Sequence, residues 1–401
     1  MSLFDPTLVD NAKLGSSSHD EPSFHYLQTS GKPSSARIRE LLEQWFDDYP
    51  DDHKSELKQR FVTSKSDIQS PTFELALHAT FNQLGADVEI HPKVSDDTDK
   101  RPDFLIRLPS GFEFYLEAVL ARGQSDEERN REQVVNSLYA IIDRRLKSPE
   151  YFWSVTILEQ GPAAPSGKQM VHALAQYMAG LNRDEVGAQL EAYGFDSPVK
   201  FLWEDAGWRI EFLPIPKKAE AIGKPDHRPL GSFPMARAVC CSDDVDIREN
   251  IKFKVKHHSA VDKPYIVAVN AMNWSVEHED FVNAIYGSDQ VTVRTYEDGS
   301  HTTENTRGLD GIWLDKDGVK NQHLIAVIGA VHLQAWSVAG CSLTVYENPY
   351  IDMPVGARIE GFPRLEPRDG HMVKVEGQTL GHLFGLPDGW PRDESSEEVE
   401  E

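Results

Sequence analysis

Apolar positions recur at helical spacing early in the chain and at alternate positions soon after. Ile38, Leu41, Leu42, Trp45 and Phe46 form one helical stripe, opened by Ser34-Ser35 as an N-cap and closed near Tyr49-Pro50. Leu57 and Phe61 mark a second helix over Asp52–Phe61. Phe73, Leu77, Phe81 and Leu84 mark a third, from about Pro71 to Leu84, with Gly85 as its stop. Glu74 lies beside that third stripe, one turn before His78. Strands are predicted at Asp87–His91, Asp103–Leu108 and Phe112–Leu120. The turn Pro109-Ser110-Gly111 makes the last two a hairpin. Alternation then puts Glu113, Tyr115, Glu117 and Val119 on one face of the last strand.

Downstream, helices fit 126–146, 167–182 and 245–258. Strands fit 152–158, 208–212, 265–270, 311–314, 324–331 and 342–346. Helix and strand alternate through the middle, and strands dominate after about residue 290, which argues for an α/β or α+β protein with a central mixed sheet. The strand–helix–strand order at 112–158 recurs at 208–270, with too little identity to be a repeat. The expected divisions are a flexible N-terminal arm (1–33), a helical lead-in (34–69) and a core (70–160). A C-terminal half continuous with the core (161–390) and an acidic disordered tail (391–401) complete the chain.

The 401 residues are 39% hydrophobic and 26% charged, an ordinary soluble composition with no apolar run of membrane-spanning length. The start of the chain has no basic and apolar leader, and Cys240, Cys241 and Cys341 make no disulfide framework. A cytoplasmic setting is therefore expected. The net charge is −24, with six acids and no base in the tail from Asp393 to Glu401. That balance argues against broad electrostatic coating of nucleic acid, so such a partner, DNA first, would need a local groove or a second protein.

The candidate chemistry lies in Asp103 and Glu117, acids at the ends of apolar strands, with Glu74 on the preceding helix. Carboxylate oxygens suit Mg²⁺ or Mn²⁺, and phosphodiester hydrolysis needs such a cation to activate water and neutralise developing charge. The bland alternative is a Pro-Asp turn and a solvated strand glutamate. Other segments are weaker. Gly161–Gln169 lacks P-loop spacing and ends in Gln169 instead of Ser or Thr. His257-His258 point to different faces of a helix, and no Cys or His group shows zinc spacing. Asn348-Pro349-Tyr350 reads as a turn. Trp203, Trp208, Trp313 and Trp336 read as core.

The run of Glu74, Arg101-Pro102-Asp103-Phe104 and Tyr115-Leu116-Glu117-Ala118-Val119 resembles the core of the PD-(D/E)XK nucleases. It departs from their pattern at Val119, where that pattern has a lysine. A replacement cation could come from Arg122, or from Lys252, Lys254 or Lys256 on the later helix. From about Phe24 to Trp390 the chain also resembles an uncharacterised bacterial family of similar length. The likeness is carried by Arg39–Pro50, Phe73–Leu77, Arg101–Phe104, Tyr115–Val119, Gly207–Lys217, Pro264–Asn270 and Asn348–Pro349. These resemblances imply a restriction-endonuclease-like fold with a strand-rich C-terminal elaboration, and a Mg²⁺- or Mn²⁺-dependent nuclease of DNA processing or defence. In that reading Asp103 and Glu117 hold the metal and Glu74 assists. An inactive scaffold subunit, a homodimer, and a hydrolase of small phosphorylated molecules stay open.

Overall fold

The computed structural model describes all residues except 13, 16, 65–67, 95–100, 124–125, 225–227, 232–242, 258–260, 297, 369–370 and 393–401. Five helices open the chain: α1 (Pro6–Asp10), α2 (Ser23–Thr29), α3 (Pro33–Asp47), α4 (Asp51–Thr63) and α5 (Gln69–Gln83). Strands β1 (Asp87–Ile90), β2 (Phe104–Arg107) and β3 (Glu113–Ala121) follow, then α6 (Asp126–Arg145), β4 (Tyr151–Glu159), α7 (Gly167–Ala179) and α8 (Arg183–Tyr193). Next come β5 (Phe201–Asp205), β6 (Trp208–Pro216), α9 (Asp243–His257), β7 (Tyr265–Ala271) and α10 (His278–Tyr286). The chain continues with β8 (Asp289–Thr295), β9 (His301–Arg307), β10 (Leu314–Asp315), β11 (Gly318–Val319) and β12 (Leu324–Val331). It closes with β13 (Thr344–Glu347), β14 (Arg364–Arg368), β15 (His371–Val375) and α11 (Leu380–Leu383). Among the described residues no helix is long and apolar enough to cross a membrane.

These elements make two units. The first comprises Met1–Ser16, Pro22–Gly123 and Cys240–Glu401. Its eight-stranded mixed sheet has the order β1-β2-β3-β7-β12-β13-β14-β15. β1, β2 and β3 are antiparallel neighbours, whereas β3, β7 and β12 run parallel. β7 (YIVAVNA) is buried along its whole length and β12 (LIAVIGAV) nearly so, as parallel strands covered on both faces should be. One face carries α5 and α3, packing Phe73, Leu77 and Phe81 with Leu42, Trp45 and Phe114. The other carries α9 and α10, with Ile247, Ile251 and Val255 against Tyr115, Val267 and Val269. The protein is thus α+β, a mixed sheet flanked by helices.

The second unit comprises Ser17–Glu21 and Gln124–Val239. Its antiparallel sheet has the order β4-β6-β5. Trp153, Trp203, Trp208 and Phe212 pack there with Met170, Leu174 and Leu138.

This division corrects the expected one. Strand 151–159 does not belong to the sheet of β3, so the core does not run unbroken over 70–160. Residues 124–239 stand between β3 and α9, and the core resumes at α9 and β7. The order repeated at 208–270 is therefore split between two sheets. Residues 1–33 are not an extended arm: they carry α1 and α2, and Leu3, Phe4, Phe24 and Leu27 are buried in the core. The α3 cap is Lys32 rather than Ser34-Ser35, because Pro33 already occupies the first helical turn. Helix α8 was not expected, and its Asn182 side chain accepts from the amides of Asp184 and Glu185. The expected strand over 311–314 is a loop that leads into β10, with Trp313 buried and its indole N–H donating to the Leu324 carbonyl at 2.9 Å. Asn348 does form a turn: its side chain donates to Leu324 O at 3.0 Å and accepts from Tyr350 N at 2.9 Å. Cys240, Cys241, His258, the His257 side chain and the acidic residues Asp393–Glu401 lie outside the described residues.

Candidate active site

The antiparallel register of β2 and β3 pairs Phe104 with Leu116. Continued by one residue, it sets Asp103 opposite Glu117. Two hydrogen bonds hold them there. The Asp103 amide donates to Glu117 Oε2 at 3.2 Å, and the Ala118 amide donates to Asp103 Oδ2 at 2.8 Å. Glu117 is only 5% exposed, which removes the solvated-glutamate alternative. Burying a carboxylate is costly unless it is paired.

Its partner is Lys254 of α9, with Nζ 2.6 Å from Glu117 Oε1. α9 lays Ile247, Ile251 and Val255 on the sheet, and Lys254 sits beside the last of these. Of the four cations considered as a substitute for the lysine absent at Val119, Lys254 is the one that reaches. Lys252 pairs with Glu249 on its own helix and Lys256 is exposed. Arg122 does not line the cavity that Lys254 and Asp103 share.

That cavity, about 160 Å³, is lined by Arg60, Ser70, Phe73, Glu74, Asp103, Ala118, Val119, Leu120 and Lys254. Burial, and then the neighbouring Glu117 carboxylate, push the Asp103 carboxyl up to about 7. The Ala118 amide and Lys254 pull against that rise. Tyr265 of β7 is buried near both acids, and its phenol is raised well above the ordinary value by burial, then by Glu117 and Asp103.

Glu74 reaches the same cavity from α5, but both of its oxygens are occupied. Oε1 accepts from the Tyr49 hydroxyl at 2.9 Å, and Oε2 is ion-paired with Arg60 of α4. Glu74 is therefore a wall of the cavity whose carboxylate, like that of Glu117, is already paired. Burial pushes the Tyr49 phenol up, and the Glu74 carboxylate adds to the rise. Burial alone would lower Arg60, but Glu74 outweighs it and the guanidinium is raised. His78, one turn beyond Glu74, packs on Tyr49 with ring centroids 4.7 Å apart, and burial lowers it to about 4.

The structure brings together Asp103, Glu117 and Glu74, which the sequence singles out, and of the four candidate cations only Lys254 joins them. Arg60 was not singled out; its place beside Phe61, at the edge of the Leu57–Phe61 stripe, was the available signal.

No family model, curated protein or solved structure matches the chain. The functional reading therefore rests on the site. Its donors are two carboxylates that crowd one another, a set suited to a hard divalent cation, whose charge would offset the burial and then the repulsion that raise Asp103. The lysine completes a group able to hold both a cation and an anion.

Proposed function

We propose that the first unit is a restriction-endonuclease-like nuclease core of the PD-(D/E)XK kind that hydrolyses nucleic-acid phosphodiesters, DNA foremost. The observation that carries the reading is Lys254 at 2.6 Å from Glu117, in one cavity with Asp103. The order α5, antiparallel β1-β2-β3, α9 and a parallel β7 supports the fold reading, with the second unit inserted between β3 and α9.

Asp103 and Glu117 would hold Mg²⁺ or Mn²⁺, which supplies a lowered pKa for water and charge neutralisation at phosphate. The protein's own groups do the rest. Asp103, whose carboxyl is pushed up to about 7 by burial and then by Glu117, would bind the cation as the carboxylate, its proton going to solvent. Lys254 orients the Glu117 carboxylate and places an ammonium where negative charge grows on the phosphate. Glu74 and Arg60 fix the opposite wall, so the cavity keeps its shape as substrate enters.

The net charge of −24 favours a second reading, an inactive core that serves as a binding subunit of a cytoplasmic defence complex. One experiment separates the two. Plasmid DNA, single-stranded DNA and RNA are incubated with Mn²⁺ and the wild type, Asp103→Asn/Glu117→Gln, or Lys254→Met. Cleavage by the wild type alone is the expected result. Inactivity of all three proteins, with no stabilisation by Mn²⁺, would leave the scaffold reading.

A further inference from the structure

A second cluster of ligating side chains lies outside this cavity. His53 and Glu56 stand three residues apart on α4, so they project from one face of the helix. His91 follows β1 and comes to meet them. One ligand atom from each of the three side chains lies within 4.8 Å of the other two. The His53 and His91 rings meet edge to face, with centroids 5.6 Å apart. The half-buried histidines and the exposed Glu56 leave the cluster open to solvent on one side. His91 adopts φ +48, a left-handed conformation uncommon for a side-chain-bearing residue. Its amide donates to the Asp103 carbonyl at 3.0 Å, which extends the β1–β2 ladder by one bond.

We propose that His53, Glu56 and His91 form a binding site for a borderline transition-metal cation of the Zn²⁺ class, distinct from the carboxylate pair at Asp103 and Glu117. Two imidazoles and one carboxylate are a preferred Zn²⁺ set, whereas Mg²⁺ takes oxygen ligands alone. Three protein ligands leave a fourth position for water. Metal–ligand bonds of ~2.0–2.2 Å require the three atoms to draw closer than they stand, which rotation of the exposed Glu56 and half-buried His53 side chains allows.

Position gives the site a consequence. α4 carries Arg60 two turns beyond His53, and Arg60 holds Glu74. His91 is bonded to the carbonyl of Asp103. A cation here would clasp α4 to the strand pair from which Asp103 emerges, and so hold two walls of the other cavity together. The site stands whether or not the protein is a nuclease.

The test is metal loading of the full chain. Metal-stripped protein is titrated with Zn²⁺ alone, and separately with Co²⁺ as a visible reporter of tetrahedral coordination. The wild type should bind Zn²⁺ at this site and develop the Co²⁺ band. His53→Gln and His91→Asn should each lose the band and weaken Zn²⁺ binding at least about 10-fold, because loss of a direct ligand exceeds the loss of an outer-shell contact. Asparagine is chosen at 91 because it tolerates the left-handed backbone. His53→Gln, on a helix surface, decides the matter should the other variant fold poorly. Asp103→Asn/Glu117→Gln, which removes the carboxylate pair, should still bind one Zn²⁺ per chain and develop the Co²⁺ band. Absence of a stoichiometric site, or Zn²⁺ binding unchanged by His53→Gln, overturns the proposal.

Discussion

Lys254 reaches from α9 to place its ammonium 2.6 Å from Glu117 Oε1 on β3. Val119 lies two residues beyond Glu117 on the same strand and lines the same cavity. The cation is thus delivered from a neighbouring helix to the place where a lysine at 119 would have pointed. On the nuclease reading, Lys254→Met should lower cleavage by about 10²–10³-fold, the usual cost of removing a group that stabilises developing charge. It should also remove the Lys254 ion pair from the buried Glu117, at about 1–3 kcal/mol in stability. The stronger check is the double variant Val119→Lys/Lys254→Met. If the ammonium and not α9 itself is what matters, moving it to β3 restores part of the lost rate. A double variant as inactive as Lys254→Met, though folded, would count against interchangeable positions.

Asp103 makes a pH prediction of definite sign. Its folded value, about 7, lies above the ordinary carboxylate value of 3.8, because burial and Glu117 disfavour the charge. The folded state therefore binds more protons than the unfolded chain between about pH 4 and 7. Stability from this group is full at low pH and lost as pH rises through that window. Asp103→Asn, which keeps an oxygen for the Ala118 amide, should be more stable than the wild type at pH 8 without metal, by roughly 1–3 kcal/mol. The gain should disappear near pH 4. If Asp103 and Glu117 hold a divalent cation, Mn²⁺ should stabilise the wild type at pH 8 and the variant less. Denaturant melts at the two pH values, with and without Mn²⁺, measure all of this.

Much of the site is written locally. Alternation along β3 puts Glu117 and Tyr115 on one face and Phe114 and Leu116 on the other, and a hairpin register sets Asp103 across from Glu117. Lys254 was harder, because choosing among Lys252, Lys254 and Lys256 needs the phase of α9 against the sheet. The Ile247, Ile251, Val255 stripe fixes that phase only once the helix is known to pack there. The inserted unit was not legible. β4 and β6 carry the apolar pattern of strands from any sheet, and partner choice is a tertiary matter. The N-terminal residues failed for the same reason. Leu3, Phe4, Phe24 and Leu27 show no period, yet the core buries them. The cluster of His53, Glu56 and His91 joins a helix to a strand end, so spacing along the chain could not announce it.

Glu74 depends on Arg60 across the gap between α5 and α4. Glu74 is almost fully buried, while Arg60 is about one-third exposed, with side-chain exposures of 5% and 36%. Arg60→Ala leaves a buried carboxylate with Tyr49 as its remaining named partner, and should cost about 1–3 kcal/mol at pH 8. Glu74→Gln/Arg60→Ala removes the charge as well and should recover much of that loss. A double-mutant cycle by urea denaturation gives the coupling. If the nuclease reading holds, Arg60→Ala should also slow cleavage while Glu74→Gln, which keeps the Tyr49 contact and the wall's shape, slows it less. Additive losses across the cycle would show that the pair is not coupled.

His78 should govern part of the acid limb of stability. It is 2% exposed and packed on Tyr49, and burial holds its imidazole at about 4 against the ordinary 6.5. Between those values the unfolded chain binds the proton and the folded protein does not. Stability is therefore full above about pH 6.5 and falls as pH drops toward 4, by on the order of 3 kcal/mol for this group. The trend runs opposite to that of Asp103 over the same window, so the wild-type profile alone would hide both. His78→Gln separates them. It should be less stable than the wild type at pH 7.5, because an amide replaces a packed ring, yet lose less on going from pH 7.5 to 4.5. Parallel profiles for wild type and variant would mean that His78 takes up its proton in the folded state as readily as in the unfolded chain.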